Sequence, residues 1–352
     1  MSVRVRPSVR DSRGVTSVLM LALLVVMVLS LGLGAVSIGP DVTVGVLAHR
    51  MGLTGQGAWS AVESLIVWDY RAPRVLLAAL VGAALALVGA ILQALVRNPL
   101  ADPWVLGVSS GAGLGAVATV LLAAGAGAVT SRSAGAAAGA AVATIAVFLL
   151  ARQDGRLTPV RLVLSGVALS FLWGAATNYL VLTSDADEVF GVLYFLMGSL
   201  TAATWADIPV IAIILFAGAL HAWARARPLT ALLAGQETAT ALGLNTSRIR
   251  TEFLISTSVL TGAVVAVSGG IGFVGLLVPH VARMLVGADH RRMLPVALLL
   301  GAAFLVLADT CARTIAAPIE LPIGIVTAAV GAPFFLWLMR RESPARRAGV
   351  GR

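Results

Sequence analysis

Long apolar segments separated by short polar ones run through almost the whole chain. About 20 apolar residues are enough for a helix to cross the hydrocarbon core of a bilayer, so each segment predicts a membrane span. The pattern predicts an all-α polytopic membrane protein with about ten spans in one domain, residues 15–340, between polar tails at 1–14 and 341–352. The predicted spans are 15–36, two within 71–115, then 134–151, 161–183, 205–223, 251–267, 273–286, 293–312 and 321–339. A cleaved signal peptide is the alternative for the first, but that segment is longer than a usual signal core and lacks a clear cleavage site.

The segment 71–115 predicts a helical hairpin around a polar turn. Pro99 and Pro103 cannot continue the first helix, and Asp102 is expected to cap the second with Pro103 at its first position. Glycines spaced four apart then predict a flat seam for close helix packing. They are Gly107, Gly111 and Gly115.

A second break interrupts the apolar pattern at 268–272, and Pro279 lies inside the span that follows. Broken helices at membrane depth occur where protein covers the backbone or where it lines a wet cavity. For His280 a structural hydrogen bond to freed backbone is favoured over a proton relay. The candidates for a structural or pathway role are Asn98, Pro99, Gly269, Gly270, Gly272, Pro279 and His280.

An internal repeat relates the two halves of the chain. Residues 80–91 and 260–271 match at six of twelve positions after a shift of 180 residues. Five spans separate the two copies, so they run in opposite directions, which is a transporter architecture. Convergence on a small-residue packing face is the alternative.

Composition narrows the class of protein. The chain is 59% hydrophobic and 12% charged, and its basic residues are all arginine. A P-loop requires lysine, so an ATPase driving this chain has to be a separate polypeptide. With the N-terminus inside, 20 of the 25 basic residues fall on the cytoplasmic side. This is the positive-inside rule rather than a nucleic-acid surface.

Few residues suggest catalytic chemistry. Gly107 to Gly111 matches the G-x-S-x-G elbow around Ser109, but within an apolar helix serine and glycine serve packing. No histidine or cysteine cluster has metal-ligand spacing, so no protein-bound metal, cofactor or catalytic residue is expected. Asp309 and Arg313 are four apart and could simply neutralise one another. Alternatively, Arg313 joins Arg71 and Arg74 in an external cationic rim that docks an acidic partner.

Residues 224–250, here called the coupling loop, form the only sizeable polar cytoplasmic segment. A solvated linker would not need 27 residues with two apolar patches, so a docking element for a cytosolic partner is favoured.

Taken together, the residues resemble the FecCD-type family, the vitamin B12 and ferric-siderophore permeases of bacterial ABC importers. The matching positions run in order over 60–340. They are Arg71 to Arg74, Gly82, Ala83, Ala86, Gly89, Gln93, Asn98 to Ala101, Leu106, Gly107, Gly272 to Gly275, Pro279, His280, Arg283, Asp309, Arg313, Glu320 to Gly324 and Gly331 to Pro333.

The resemblance implies a type II importer permease in the bacterial cell membrane, with both termini cytoplasmic. Its implied partners are a second permease subunit, either a copy or a paralogue, a dimer of cytosolic ATPases that hold the ATP, and an external substrate-binding protein. It also implies that arginines matching Arg71, Arg74 and Arg313 meet acidic residues of the binding protein. The residues implied to dock on the ATPase are Gly235, Gln236, Glu237, Ala239, Leu242 and Gly243. Position 236 is usually acidic in the family, so the glutamine here puts that local contact in doubt.

The expected function is import of an iron–siderophore complex, with haem or cobalamin as the alternative cargo. Two other classes stay open at this point: an ion-coupled secondary transporter, and an intramembrane enzyme using Ser109 and His280.

Overall fold

The computed structural model describes residues 12–34, 36–55, 57–103, 106–122, 128–153, 156–184 and 186–341, so most of both predicted tails lies outside the described residues. The helices are α1 (Ser12–Gly32), α2 (Pro40–Arg50), α3 (Ala61–Leu65), α4 (Ala72–Val96), α5 (Val108–Leu122), α6 (Ala128–Ala151), α7 (Pro159–Leu182), α8 (Ala186–Leu196), α9 (Asp207–Ala224), α10 (Ala226–Leu233), α11 (Gln236–Ala241), α12 (Thr246–Ser268), α13 (Val274–Val286), α14 (His290–Thr314) and α15 (Ile323–Arg341). One π-helical turn, Ile66–Arg71, joins α3 to α4. A two-stranded antiparallel ribbon, β1 (Arg152–Gln153) and β2 (Arg156–Leu157), lies between α6 and α7.

The described residues bear out the apolar pattern. Seven helices are long and apolar enough to cross a membrane, and α5, α13 and α15 are shorter apolar helices at the remaining predicted spans. Large apolar side chains stay exposed on the peripheral helices α1, α7 and α9, as is expected of surfaces that face lipid. The all-α polytopic architecture is therefore confirmed.

Helix α4 lies at the centre, buried along nearly its whole length and packed against α9, α12, α13 and α14. Small residues bring these helices together. A methyl group on Gly82 would overlap the backbone of Gly301 in α14, and one on Gly89 would overlap Gly275 in α13. Close approach of this kind maximises van der Waals contact where apolar lipid removes the hydrophobic driving force.

The glycine seam is confirmed on α5. Added methyl groups at Gly111 and Gly115 would overlap residues of α6, including Gly135 and Gly139. Gly107 adopts φ +74 and packs against α7.

The predicted cap of the second hairpin helix is wrong. Helix α5 begins at Val108 rather than at Pro103, and Asp102 lies elsewhere, with its Oδ2 3.1 Å from the position of a Cβ on Gly275. Gly275 itself packs on Gly89, seven residues before α4 ends, so the chain after α4 doubles back alongside it. The carboxylate thus sits at the first turn of α13, where the helix dipole favours negative charge.

Three irregular segments, those after α8, after α12 and before α15, form backbone hydrogen bonds with one another where α12 ends. Ser199 N donates to Ser268 O at 2.9 Å, and Ile323 N donates to Gly198 O at 3.0 Å. Helix α8 ends at Leu196, and the residues that follow it make these bonds. The break at 268–272 is therefore covered by protein, as the bilayer requires of non-helical backbone.

Candidate functional site

A buried charge network joins α4 to α14. Arg74, in the first turn of α4, donates from Nε to Asp309 Oδ1 at 2.9 Å and from Nη1 to Glu320 Oε2 at 2.7 Å. Arg313 donates from Nε to Asp309 Oδ2 at 3.0 Å. Asp309 is 1% exposed, so its ion pairs with the two guanidinium groups are shielded from water. The intrahelical pair expected from the spacing is present, but it is part of a larger network.

Two of the arginines also close the end of α1. Arg71 donates to the carbonyl oxygens of Leu31 at 2.8 Å and Gly32 at 3.0 Å, and Arg313 donates to that of Leu33 at 2.9 Å and to Ser30 Oγ at 2.8 Å. The last carbonyls of a helix have no partner within it, and they attract cations. This explains why α1 ends at Gly32 instead of the predicted residue 36.

The three arginines of the predicted external rim are close together but buried. Arg71, Arg74 and Arg313 meet at one end of the molecule as expected, but they are 7%, 8% and 3% exposed and engaged with the protein's own acceptors. Buried guanidinium groups need such partners because desolvation is costly. With the carboxylates of Asp309 and Glu320 the cluster keeps one net positive charge, and its docking role stays a prediction.

The coupling loop folds into α10 and α11. Gly235 and Gly243, with φ of +119 and +75, permit the turns at either end of α11. Ala239 is fully buried against the body, whereas Leu242 is 66% exposed and Glu237 is also exposed. An exposed apolar side chain held next to a tight turn is suited to contact a partner protein.

Gln236 takes part in holding this loop in place. Arg250, 1% exposed on α12, donates from Nη1 to Gln236 Oε1 at 3.2 Å and to Leu157 O at 2.8 Å. Its Nε, also buried, has no hydrogen-bond partner among the described residues. Position 236 thus presents a neutral amide to a buried cation.

The pathway candidates separate into two cavities. Asn98, Pro99 and His280 line one of about 250 Å³ together with Phe273 and Phe334. The His280 ring lies edge-on to Phe334, with ring centroids 6.5 Å apart.

Gly270 and Gly272 instead line a cavity of about 500 Å³ with Asp102. Gly269 and Pro279 are buried in packing, Gly269 against the carbonyl of Phe195. The structure therefore does not bring all seven candidates together.

Sequence reasoning gave no site role to the polar groups that tie the helices. Gln93 of α4, 2% exposed, donates to Gly275 O at 2.9 Å and accepts a hydrogen bond from Arg283 of α13. Polar residues are rare within or beside membrane spans, because burying them in a bilayer is costly. That rarity is the sequence signal that could have identified Gln93, Asp102 and Glu320.

Among the described residues, Ser109 lacks the setting of a nucleophile elbow. It is buried in the first turn of α5, which follows a turn rather than the strand that a nucleophile elbow requires. Within the described part of the chain, no group of three or more His, Cys, Asp or Glu could hold a metal ion.

Comparisons with known proteins agree with this architecture. The family model described as the FecCD transport family matches residues 22–341. The cobalamin import system permease protein BtuC of Halobacterium salinarum is 46% identical over 286 residues, 78% of this chain and 73% of that protein. The hemin transport system permease protein HmuU of Yersinia pestis is 39% identical over 336 residues, 93% of this chain and 97% of that protein. Among solved structures, an inward-facing ABC transporter described as of the metal-chelate type superposes with a TM-score of 0.81 and 30% identity, covering 94% of this chain and 99% of that one.

Proposed function

This chain belongs to the FecCD transport family, and from that membership we propose that it passes an iron–siderophore complex across the cell membrane, with haem and cobalamin as the alternative cargoes. Whatever its cargo, the chain is the multi-pass permease subunit of an ABC importer, which is a transport component rather than an enzyme. The ion-coupled transporter and the intramembrane enzyme are thereby excluded.

The observation that supports a metal chelate as cargo is the match, over 94% of the chain, to a transporter of the metal-chelate type. Cobalamin and hemin, which appear in the names of two relatives, are also metal chelates. Iron–siderophore complexes are the first candidate because they are the commonest cargo expected of this family. ATP binding and hydrolysis take place on the partner ATPases, and the proposed topology leaves both termini in the cytoplasm.

The coupling loop is proposed to dock on the ATPase through the exposed side chain of Leu242. Leu242→Ser should weaken co-purification of the ATPase at least tenfold without lowering the melting temperature, because the side chain is 66% exposed and supports no core. Leu182→Ser, at an 84% exposed position at the end of α7, is the matched control and should leave the ATPase bound. Equal retention by both variants would remove Leu242 from the interface.

The binding protein is proposed to dock over the arginine cluster, whose net positive charge favours an acidic partner. Reversing Arg71 or Arg313 to Glu is a poor test, since either change also uncaps α1. Salt dependence is cleaner. The association rate of binding protein and permease in nanodiscs should fall at least tenfold between 50 and 500 mM salt, on the order expected of steered association. A salt-independent rate would argue against charge-guided docking.

The substrate is tested on the intact importer. The chain is purified with its ATPase and incubated with binding proteins loaded with a ferric siderophore, haem or cobalamin, and ATP hydrolysis is measured. Stimulation by the siderophore-loaded protein alone supports the proposal. Stimulation by only the haem or cobalamin protein would transfer the assignment to that alternative.

A further inference from the structure

A cavity of about 480 Å³ lies beside the arginine cluster, between α8, the end of α12 and the residues before α15. We call it the aromatic vestibule. The residues that give it its character are Phe190, Tyr194, Phe195, Ser199, Thr201 and Glu320. Its volume and its aromatic walls with few polar groups are typical of small-molecule sites.

The aromatic wall belongs to α8. Phe190 and Tyr194 are four residues apart and stack with ring centroids 6.3 Å apart at 29°. Phe190 is 76% exposed. The opposite, C-terminal end of α8 is held in place by the backbone hydrogen bonds of the residues that follow it. A large exposed ring on an anchored helix end is suited to contact a ligand rather than to hold the fold.

Among the described residues that line this wall, Glu320 and Tyr194 are the ionisable ones and none is cationic. Arg74 holds one oxygen of Glu320 at 2.7 Å, but the Glu320 side chain remains 35% exposed whereas that of Arg74 is 10% exposed. The carboxylate, not the guanidinium, therefore faces the cavity. Tyr194 donates from its hydroxyl to the Glu320 carbonyl at 3.1 Å. Partial burial and the Glu320 carboxylate raise the pKa of Tyr194, so the phenol stays neutral.

We propose that the aromatic vestibule is a binding subsite for the transported chelate and that it selects neutral or cationic chelates with apolar surface over polyanionic ones. This rests on the proposed function, since it assigns the vestibule to the cargo of the importer. The faces of aromatic rings attract cations. Although the arginine cluster as a whole keeps one positive charge, its three arginines are at most 8% exposed, so the charged group that a bound chelate meets at short range is the Glu320 carboxylate, which repels anions. Within the candidate cargoes this favours cationic hydroxamate siderophores and the neutral, amide-rich corrins. Haem, with two propionates, and ferric citrate are disfavoured.

The test is direct binding to the permease–ATPase complex in nanodiscs, without a binding protein, so that only the permease selects. The probes are ferrioxamine B, which is cationic, cyanocobalamin, which is neutral, and ferric citrate, which is anionic, each followed by equilibrium dialysis. Ferrioxamine B should bind at least about tenfold more tightly than ferric citrate, the effect expected of one exposed charge at close range. Glu320→Gln should reduce that ratio to about threefold or less.

A second pair of variants does not depend on the salt bridge. Phe190→Ala should weaken ferrioxamine B and cyanocobalamin about threefold or more, the effect of losing one aromatic contact. Phe216→Ala, at a 71% exposed position on α9 outside the vestibule, should change neither.

Three results would overturn the proposal: ferric citrate binding as tightly as ferrioxamine B, a charge ratio unaffected by Glu320→Gln, or no probe binding the wild type at millimolar concentration. The last result would assign the aromatic wall to a protein contact. None of them touches the assignment as an importer permease, which ATPase stimulation by loaded binding proteins tests separately.

Discussion

Replacing Asp309 by Asn should destabilise the protein strongly, because it removes the carboxylate that two buried arginines share. Arg74 and Arg313 approach it at 2.9 and 3.0 Å, and its own side chain is 1% exposed. Removing one partner of a buried pair typically costs about 3–5 kcal/mol, since the remaining charge stays out of water. Arg74 keeps Glu320, so the lower end, about 3 kcal/mol, is expected.

The matched control is Glu252→Gln. Glu252 also binds two arginines, Arg225 at 2.6 Å and Arg248 at 3.0 Å, but it is 26% exposed and Arg248 is 76% exposed. Exposed pairs contribute about 0.2–1 kcal/mol, because water and salt screen them. The two variants thus change the same number of ion pairs at different depths.

The assay is tryptophan fluorescence during heating of the nanodisc-embedded complex, with all variants scanned at one rate because unfolding of large proteins is often irreversible. At about 2–4 °C per kcal/mol, the loss of about 3 kcal/mol in Asp309→Asn should lower the midpoint by about 6 °C or more, and a loss of about 1 kcal/mol for the two screened pairs of Glu252 should lower it by about 4 °C or less. Equal shifts, or a shift below about 2 °C for Asp309→Asn, would refute the argument that burial sets the cost.

Two further predictions concern a helix crossing and the coupling loop. Gly89→Ala forces a methyl group into the backbone of Gly275 and should cost about 1–3 kcal/mol in thermal unfolding. Gly174→Ala, where nothing lies within 4 Å, should be neutral or slightly stabilising, and similar losses at both would contradict the packing reason. Gln236→Glu gives the buried guanidinium of Arg250 a carboxylate partner and should slow limited proteolysis of the coupling loop severalfold. Unchanged or faster cleavage would show that this contact does not hold the loop.

The apolar pattern predicted the spans and the break in α12 because both depend on local composition. Helix length follows from hydrophobic run length, and Ser268 to Gly272 cannot stay helical without cost. The glycine seam of α5 followed for the same reason, since spacing along one helix is itself local.

The arrangement of the site required contacts that no local pattern contains. Charge placement brought Arg71, Arg74 and Arg313 to one end but carried no information on depth, so their burial was missed. Asp102 looked like a cap for the next helix, and only the doubling back of the chain brings it to α13. The 180-residue repeat was only partly informative. It matched Gly89 with Gly269, and both make close backbone contacts, but it could not predict that their partners differ.

The capped end of α1 also bears on how the chain is made. Residues at the N-terminus are synthesised and inserted first, yet the arginines that complete α1 follow its carbonyls by 40 and 283 positions. Helix α1 is therefore made before α4 and α14 but reaches its final bonding state only after both have been made. Any nascent or truncated chain that lacks α14 carries unsatisfied carbonyls at that helix end.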